Sequence, residues 1–224
     1  MTQKIATILH INLTDGTFAI KVREDLWPVI GGVGYALFLL KENPATSIIA
    51  IGPLTGAFPG CDVAYLSQVD ADKEKKEIRV IEIPGELALS LKNLGWDAIT
   101  IEGQAKKPVQ IETSGDTVIS IPGKNLVEIK VKSDSIKEVV EKEGYREIYE
   151  KVLTAVSAIT EKETPLTINL ATCLGSRAIY QEIFESIPLA FATLNSLDIN
   201  YSHEELEEGL EIVYNLKEEL KSLI

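Results

Sequence analysis

Ile51-Gly-Pro-Leu-Thr-Gly-Ala-Phe-Pro-Gly-Cys-Asp62 is the stretch whose reading decides the fold. Three glycines and two prolines in twelve positions make a loop whose backbone can approach another group closely. An apolar run, Ile48-Ile-Ala-Ile51, precedes it, and Val63-Ala-Tyr-Leu66 follows. The stretch therefore reads as a loop between two buried strands, with a partner still to be found.

Working toward the N-terminus, residues 4–13 are rich in β-formers, Thr14-Asp-Gly16 is a turn signal, and Thr17–Val22 reads as the returning strand of a hairpin. Gly31, Gly32 and Gly34 open an apolar helix that Asn43-Pro44 ends. Toward the C-terminus, strands are predicted over 63–69 and 77–83, a short helix over 85–94 capped by Gly95, and a strand over 96–102. Residues 109–112 and 117–121 read as a second hairpin.

After Lys132 the pattern turns helical. Helices are predicted from Ser133 or Asp134 to about 142, over 145–159, over 175–186 and from Ser202 to the end, with a strand at 165–170 between them. Ser202 and Glu205 form a capping box, and Leu206, Leu210, Val213, Leu216, Leu220 and Leu223 recur at helical spacing behind it. The fold class is α+β: a strand-rich region over 1–132 and a helix-rich remainder over 133–224, packed together as one unit.

Composition narrows the functions. The 224 residues carry a net charge of −12, which disfavours nucleic acid and anionic membranes as partners. The longest apolar run, 29–40, is too short to cross a bilayer. With no signal-peptide pattern at the start, the expected location is the cytoplasm. Cys61, Cys173, His10 and His203 are scattered, so no zinc or iron–sulfur ligand set is legible and no metal ligand is assigned. No nucleophile–base pair can be argued, and no catalytic residue is assigned. Abundant Glu and Lys with few Gln fit a thermophile.

Three stretches in register then point to one family. They are Ile11–Gly16 with Gly31–Leu37, Ala50–Gly56, and Gly95–Val109. Together they resemble the N-terminal domain of tungsten-containing aldehyde:ferredoxin oxidoreductases. The resemblance implies a two-sheet base on which a dithiolene-pterin cofactor sits. It places Gly52, Gly56, Gly60, Asp62 and Gly85 at the cofactor-binding positions. A tungsten- or molybdenum-pterin is the implied cofactor. The cluster-bearing helical domains of the family have no counterpart here, so no iron–sulfur cluster is expected. The implied partners are a second copy or a larger oxidoreductase subunit.

The cofactor contacts depart from the family pattern. A cofactor-holding arginine follows the family's Gly-Pro-Leu-Thr-Gly, whereas Pro59-Gly-Cys-Asp62 occupies the comparable place. A carboxylate there is expected to repel an anionic guest that a guanidinium would bind. Glu82-Ile-Pro-Gly85 replaces a glycine pair, and Pro84 has no N–H to donate. Elsewhere, Arg177, after Leu174-Gly-Ser176 at an expected helix start, offers anion-binding chemistry, and the Lys106-Lys107 pair in the turn over 104–108 reads either as a steering patch for an anion or as a solvated turn. The bland reading of the loop, a tight connection between strands, stands beside the cofactor cradle. So does a structural or protein-interaction role beside a pterin-carrying one.

Overall fold

The computed structural model describes residues 4–70, 77–104, 109–113, 120–121, 127–131, 168–177 and 184–223. The helices expected over 133–159 and the Lys106-Lys107 turn lie outside them.

β1 (Ala6–Asn12) and β2 (Thr17–Arg23) form the expected antiparallel hairpin, with Asn12 opposite Thr17. Asn12 Oδ1 accepts the N–H groups of Thr14 and Asp15, which bends the chain at the Thr-Asp-Gly turn. β3 (Ser47–Ile51), β4 (Val63–Asp70), β5 (Glu77–Pro84) and β6 (Ala98–Glu102) complete a six-stranded sheet in the order β2-β1-β6-β3-β4-β5. Only β1 and β6 run parallel; every other neighbouring pair in this sheet is antiparallel.

Strand alternation divides the core in two. Ile8, Ile48, Ala50, Val63 and Tyr65 face one side with α1 (Gly32–Glu42). Leu9, Ile11, Ile49, Ile51, Leu66, Ile99 and Ile101 face the other, beneath Leu87 and Leu91 of α2 (Glu86–Asn93). Each such side chain contributes about 1.5–3 kcal/mol when fully buried. α1 is apolar nearly all round because it is covered on both sides, by β3 and β4 beneath and by the C-terminal helix above.

A smaller sheet has the order β7-β9-β8, formed by β7 (Val109–Thr113), β8 (Ser120–Ile121) and β9 (Val127–Val131). This corrects the second hairpin. β9 lies between the two expected partners, parallel to β7 and antiparallel to β8. The sequence of β9, Val-Glu-Ile-Lys-Val, alternates apolar and charged residues at strand period, and β9 takes the central position.

The C-terminal part differs more. Leu170 opens a short helix, α3 (Leu170–Leu174), rather than closing a strand. Asn169 Oδ1 accepts from Thr172 N at 3.1 Å, and Thr172 Oγ1 accepts from Asn169 N at 3.1 Å. Gly175, at φ 87°, then ends the helix where one was expected to begin. α4 (Ile187–Ser196) and α5 (His203–Leu223) follow. The Ser202–Glu205 capping box is present, with bonds of 2.8 and 3.0 Å. Leu206, Val213, Leu216 and Leu220 of α5 bury in the same core as α1, while Leu223 is exposed. Among the described residues, no helix is long and apolar enough to cross a membrane.

Candidate functional site

The partner of the 51–62 loop is another part of this chain. Gly52 N–H donates to Thr55 Oγ1 at 3.1 Å, and Gly56 N–H to Cys61 O at 2.8 Å, which folds the loop on itself. Leu54 N–H donates to Leu174 O at 3.1 Å, docking the loop on the end of α3. A Cβ on Gly52 would lie 2.0 Å from the Leu174 carbonyl carbon, and one on Gly175 would lie 2.3 Å from Thr55 Oγ1. The glycines at 52 and 175 are therefore required by the approach of one backbone to the other.

The end of the loop meets the segment after α3. Arg177 N–H donates to Gly60 O at 3.0 Å. The Arg177 guanidinium grips Asp62 with two bonds, Nε to Oδ1 at 2.6 Å and a terminal nitrogen to Oδ2 at 2.5 Å. The two residues are 5% and 4% exposed. Asp62 O accepts from Gly85 N–H at 2.7 Å, which ties in the N-cap of α2. The Tyr65 hydroxyl donates to Ser176 O from below.

The structure thus gathers Gly60, Asp62 and Gly85 around Arg177 and sets Gly52 against Leu174 and Gly175. Gly56, at φ 73°, stands apart and packs toward Leu89 of α2. The reading of Asp62 as an open carboxylate is corrected: it is buried and paired in a fork-to-fork contact. Sequence reasoning named Asp62 and Arg177 separately and missed their pairing, because they stand 115 positions apart in the chain. Two opposite charges, each flanked by residues of core type, are the signal that was available.

The cysteines add no reactivity here. Both Cys61 and Cys173 are fully buried. Burial pushes the Cys61 thiol well above its usual range, with the Asp62 charge adding to it. Burial likewise pushes Cys173 up to about 12. Neither holds a thiolate near neutral pH.

The family model for the aldehyde ferredoxin oxidoreductase N-terminal domain matches residues 8–156. The chain is 38% identical over 126 residues to the aliphatic sulfonate oxidoreductase, WOR-like subunit, of Pyrococcus furiosus, covering 50% of this chain and 20% of that protein. It is 31% identical over 153 residues to the tungsten-containing aldehyde ferredoxin oxidoreductase of Pyrococcus abyssi, covering 63% and 25%. The chain thus spans a fifth to a quarter of the length of these relatives. Among solved structures, the active-site complex BamBC of benzoyl coenzyme A reductase, in complex with 1,5-dienoyl-CoA, matches with a TM-score of 0.44 and 23% identity, over 48% of this chain and 18% of that one. With the family match running through β1 to β6, the loop and both flanking helices, this chain belongs to the aldehyde ferredoxin oxidoreductase N-terminal domain family.

Proposed function

We propose that this domain is a structural, protein-contacting form of the oxidoreductase cofactor base, not catalytic alone, in which the contacts for a pterin have been given over to internal packing. One observation carries the reading. The cation gathered with Gly60, Asp62 and Gly85, Arg177, spends its fork on Asp62 inside the protein. An anionic dithiolene-pterin needs open N–H donors and an uncommitted cation. At this place the Gly85 N–H already bonds Asp62 O, the Arg177 N–H bonds Gly60 O, and residue 84 is proline. The residues present do not fit such a group.

The second reading is a tungsto- or molybdopterin-binding subunit or carrier, acting with a larger oxidoreductase. Family membership favours it, since relatives carry the names of tungsten-containing oxidoreductases. The test separates the two. The protein is purified from cells supplied with tungstate and molybdate, metal is measured by mass spectrometry, and pterin by fluorescence after oxidation. The internal-packing reading expects both far below one per chain. Stoichiometric metal and pterin would replace it with the second.

A further inference from the structure

A cavity of about 220 Å³ lies between the start of α1, the end of α2 and the turn before Tyr201, away from the Asp62–Arg177 pair. Ile30, Ile51, Pro53 and Trp27 give it apolar walls, and the Trp27 ring is stacked on Tyr201 at 4.2 Å. Tyr35 from α1, Lys92 from α2 and Asp97 from the lead-in to β6 reach it, together with Tyr201, with Lys4, which is paired with Glu205, and with the exposed Asp198 and Asn200.

Asp97 and Lys92 are opposite charges that border one space without touching. Thr7 N–H holds Asp97 Oδ2 at 2.8 Å, and among the described residues no hydrogen bond reaches Oδ1. Among the same residues, Lys92 has no carboxylate within salt-bridge distance. Lys92 as a residue is exposed, but its ammonium is crowded enough that burial pulls its pKa down. Burial pushes Asp97 the other way, upward. Each charge attracts the other from a distance, and neither is compensated by contact.

A guest that satisfies both must carry both signs. A simple carboxylic acid would answer Lys92 and leave Asp97 exposed to it. A divalent cation would find two carboxylates, Asp97 and the exposed Asp198, and among the described residues no third His, Cys, Asp or Glu joins them, which falls short of the six or so oxygens it needs. The volume falls below the ~300 Å³ at which pockets for drug-sized ligands begin, which excludes a nucleotide. We propose that this cavity binds a free α-amino acid with an apolar side chain, its carboxylate on Lys92, its ammonium on Asp97 Oδ1 and its side chain against the isoleucine and tryptophan wall. The Tyr35 hydroxyl, beside that of Tyr201, supplies a further donor or acceptor at the carboxylate. Its wall includes Ile51 and Pro53 of the 51–62 loop, but Asp62, Gly85 and Arg177 do not line it.

The test is calorimetry on the purified chain at neutral pH with L-leucine, L-methionine and L-phenylalanine, against two halves of leucine: 4-methylpentanoate, which lacks the amine, and 3-methylbutylamine, which lacks the carboxylate. At least one amino acid is expected to give saturable binding, with its single-charge analogues at least ~10-fold weaker. Lys92→Met and Asp97→Asn are each expected to lose ~10-fold or more while melting as cooperatively as the parent. Lys92→Met carries the test alone if Asp97→Asn does not fold, since Lys92 projects from the exposed end of a helix. No saturable binding by any of the three amino acids would overturn the proposal. So would a single-charge analogue that binds as well as its amino acid, or a folded variant that binds as the parent does.

Discussion

Asp97 is anchored by one oxygen and strained by its surroundings, and this has a measurable consequence. Burial raises its pKa above the usual 3.8, against the pull of the Thr7 N–H and the Lys92 charge. A raised acid favours the folded state only while protonated, so its contribution is full below 3.8 and is lost as pH climbs through the folded value. At neutral pH the ionised carboxylate therefore costs stability. Asp97→Asn keeps an oxygen for Thr7 N–H and removes the charge. Its melting midpoint should exceed the parent's at pH 7, and the gain should shrink as pH falls toward 4, read by circular dichroism across a pH series. A residue that weakens the fold yet faces a cavity fits a binding role, where function and stability pull apart. Asp62 shows the opposite logic. Its charge is matched at 2.6 Å by Arg177, and removing either partner strands a buried ion. Arg177→Ala or Asp62→Ala should cost ~3–5 kcal/mol in urea unfolding, whereas Asp62→Leu with Arg177→Met should recover most of that loss.

At the scale of elements, the 51–62 loop and α3 behave as one joint. Gly52 and Gly85 were assigned the same kind of role from sequence, and the structure separates them. A Cβ at Gly52 meets the Leu174–Gly175 backbone at 2.0–2.2 Å, while nothing lies within 4 Å of one at Gly85, whose φ is 95°. Gly85→Ala should cost about 1–2 kcal/mol, from backbone strain alone. Gly52→Ala must part the loop from α3 and should cost clearly more, as a lower denaturation midpoint would show. The elements that were legible in the sequence have local causes: the Thr-Asp-Gly turn, the Ser202–Glu205 box and the apolar Ile48–Ile51 run of β3. What was missed lies in side-chain capping and in the order of strands. Leu170, expected to close a strand, opens a helix because Thr172 and Asn169 cap each other, a pairing that β-propensity does not encode. The second hairpin failed because β9, the next strand along the chain, inserts between its arms. The same limit applies at the site: the glycines marked a close approach, but only the fold shows that Leu174 and Gly175 are what they approach.

For the whole molecule, the six-stranded sheet is covered unevenly, and this bears on the protein-contact reading. Ile20 and Phe18 stand opposite Leu9 and Ile11 across the hairpin, so they continue the face that α2 covers. Yet Phe18 is 76% exposed and Ile20 and Val22 are each 59% exposed. β2 is also the sheet's edge, with β1 as its one neighbour in the sheet. A seven-residue edge carrying an apolar row is a template for pairing with another strand. A second copy suits it. Antiparallel pairing centred on Ile20 sets Phe18 opposite Val22 of the copy and Lys21 opposite Ala19, so no like charges face each other directly. In this arrangement the interface has two-fold symmetry and closes on itself. Ile20→Lys places a charge at its centre, while an exposed site within one chain tolerates the change to within about 0.5 kcal/mol. Sedimentation equilibrium should therefore show a dimer for the parent and a monomer for Ile20→Lys, with the two melting alike at low concentration. A parent that is monomeric at every concentration would remove the second copy as the occupant and leave the edge to a larger oxidoreductase chain.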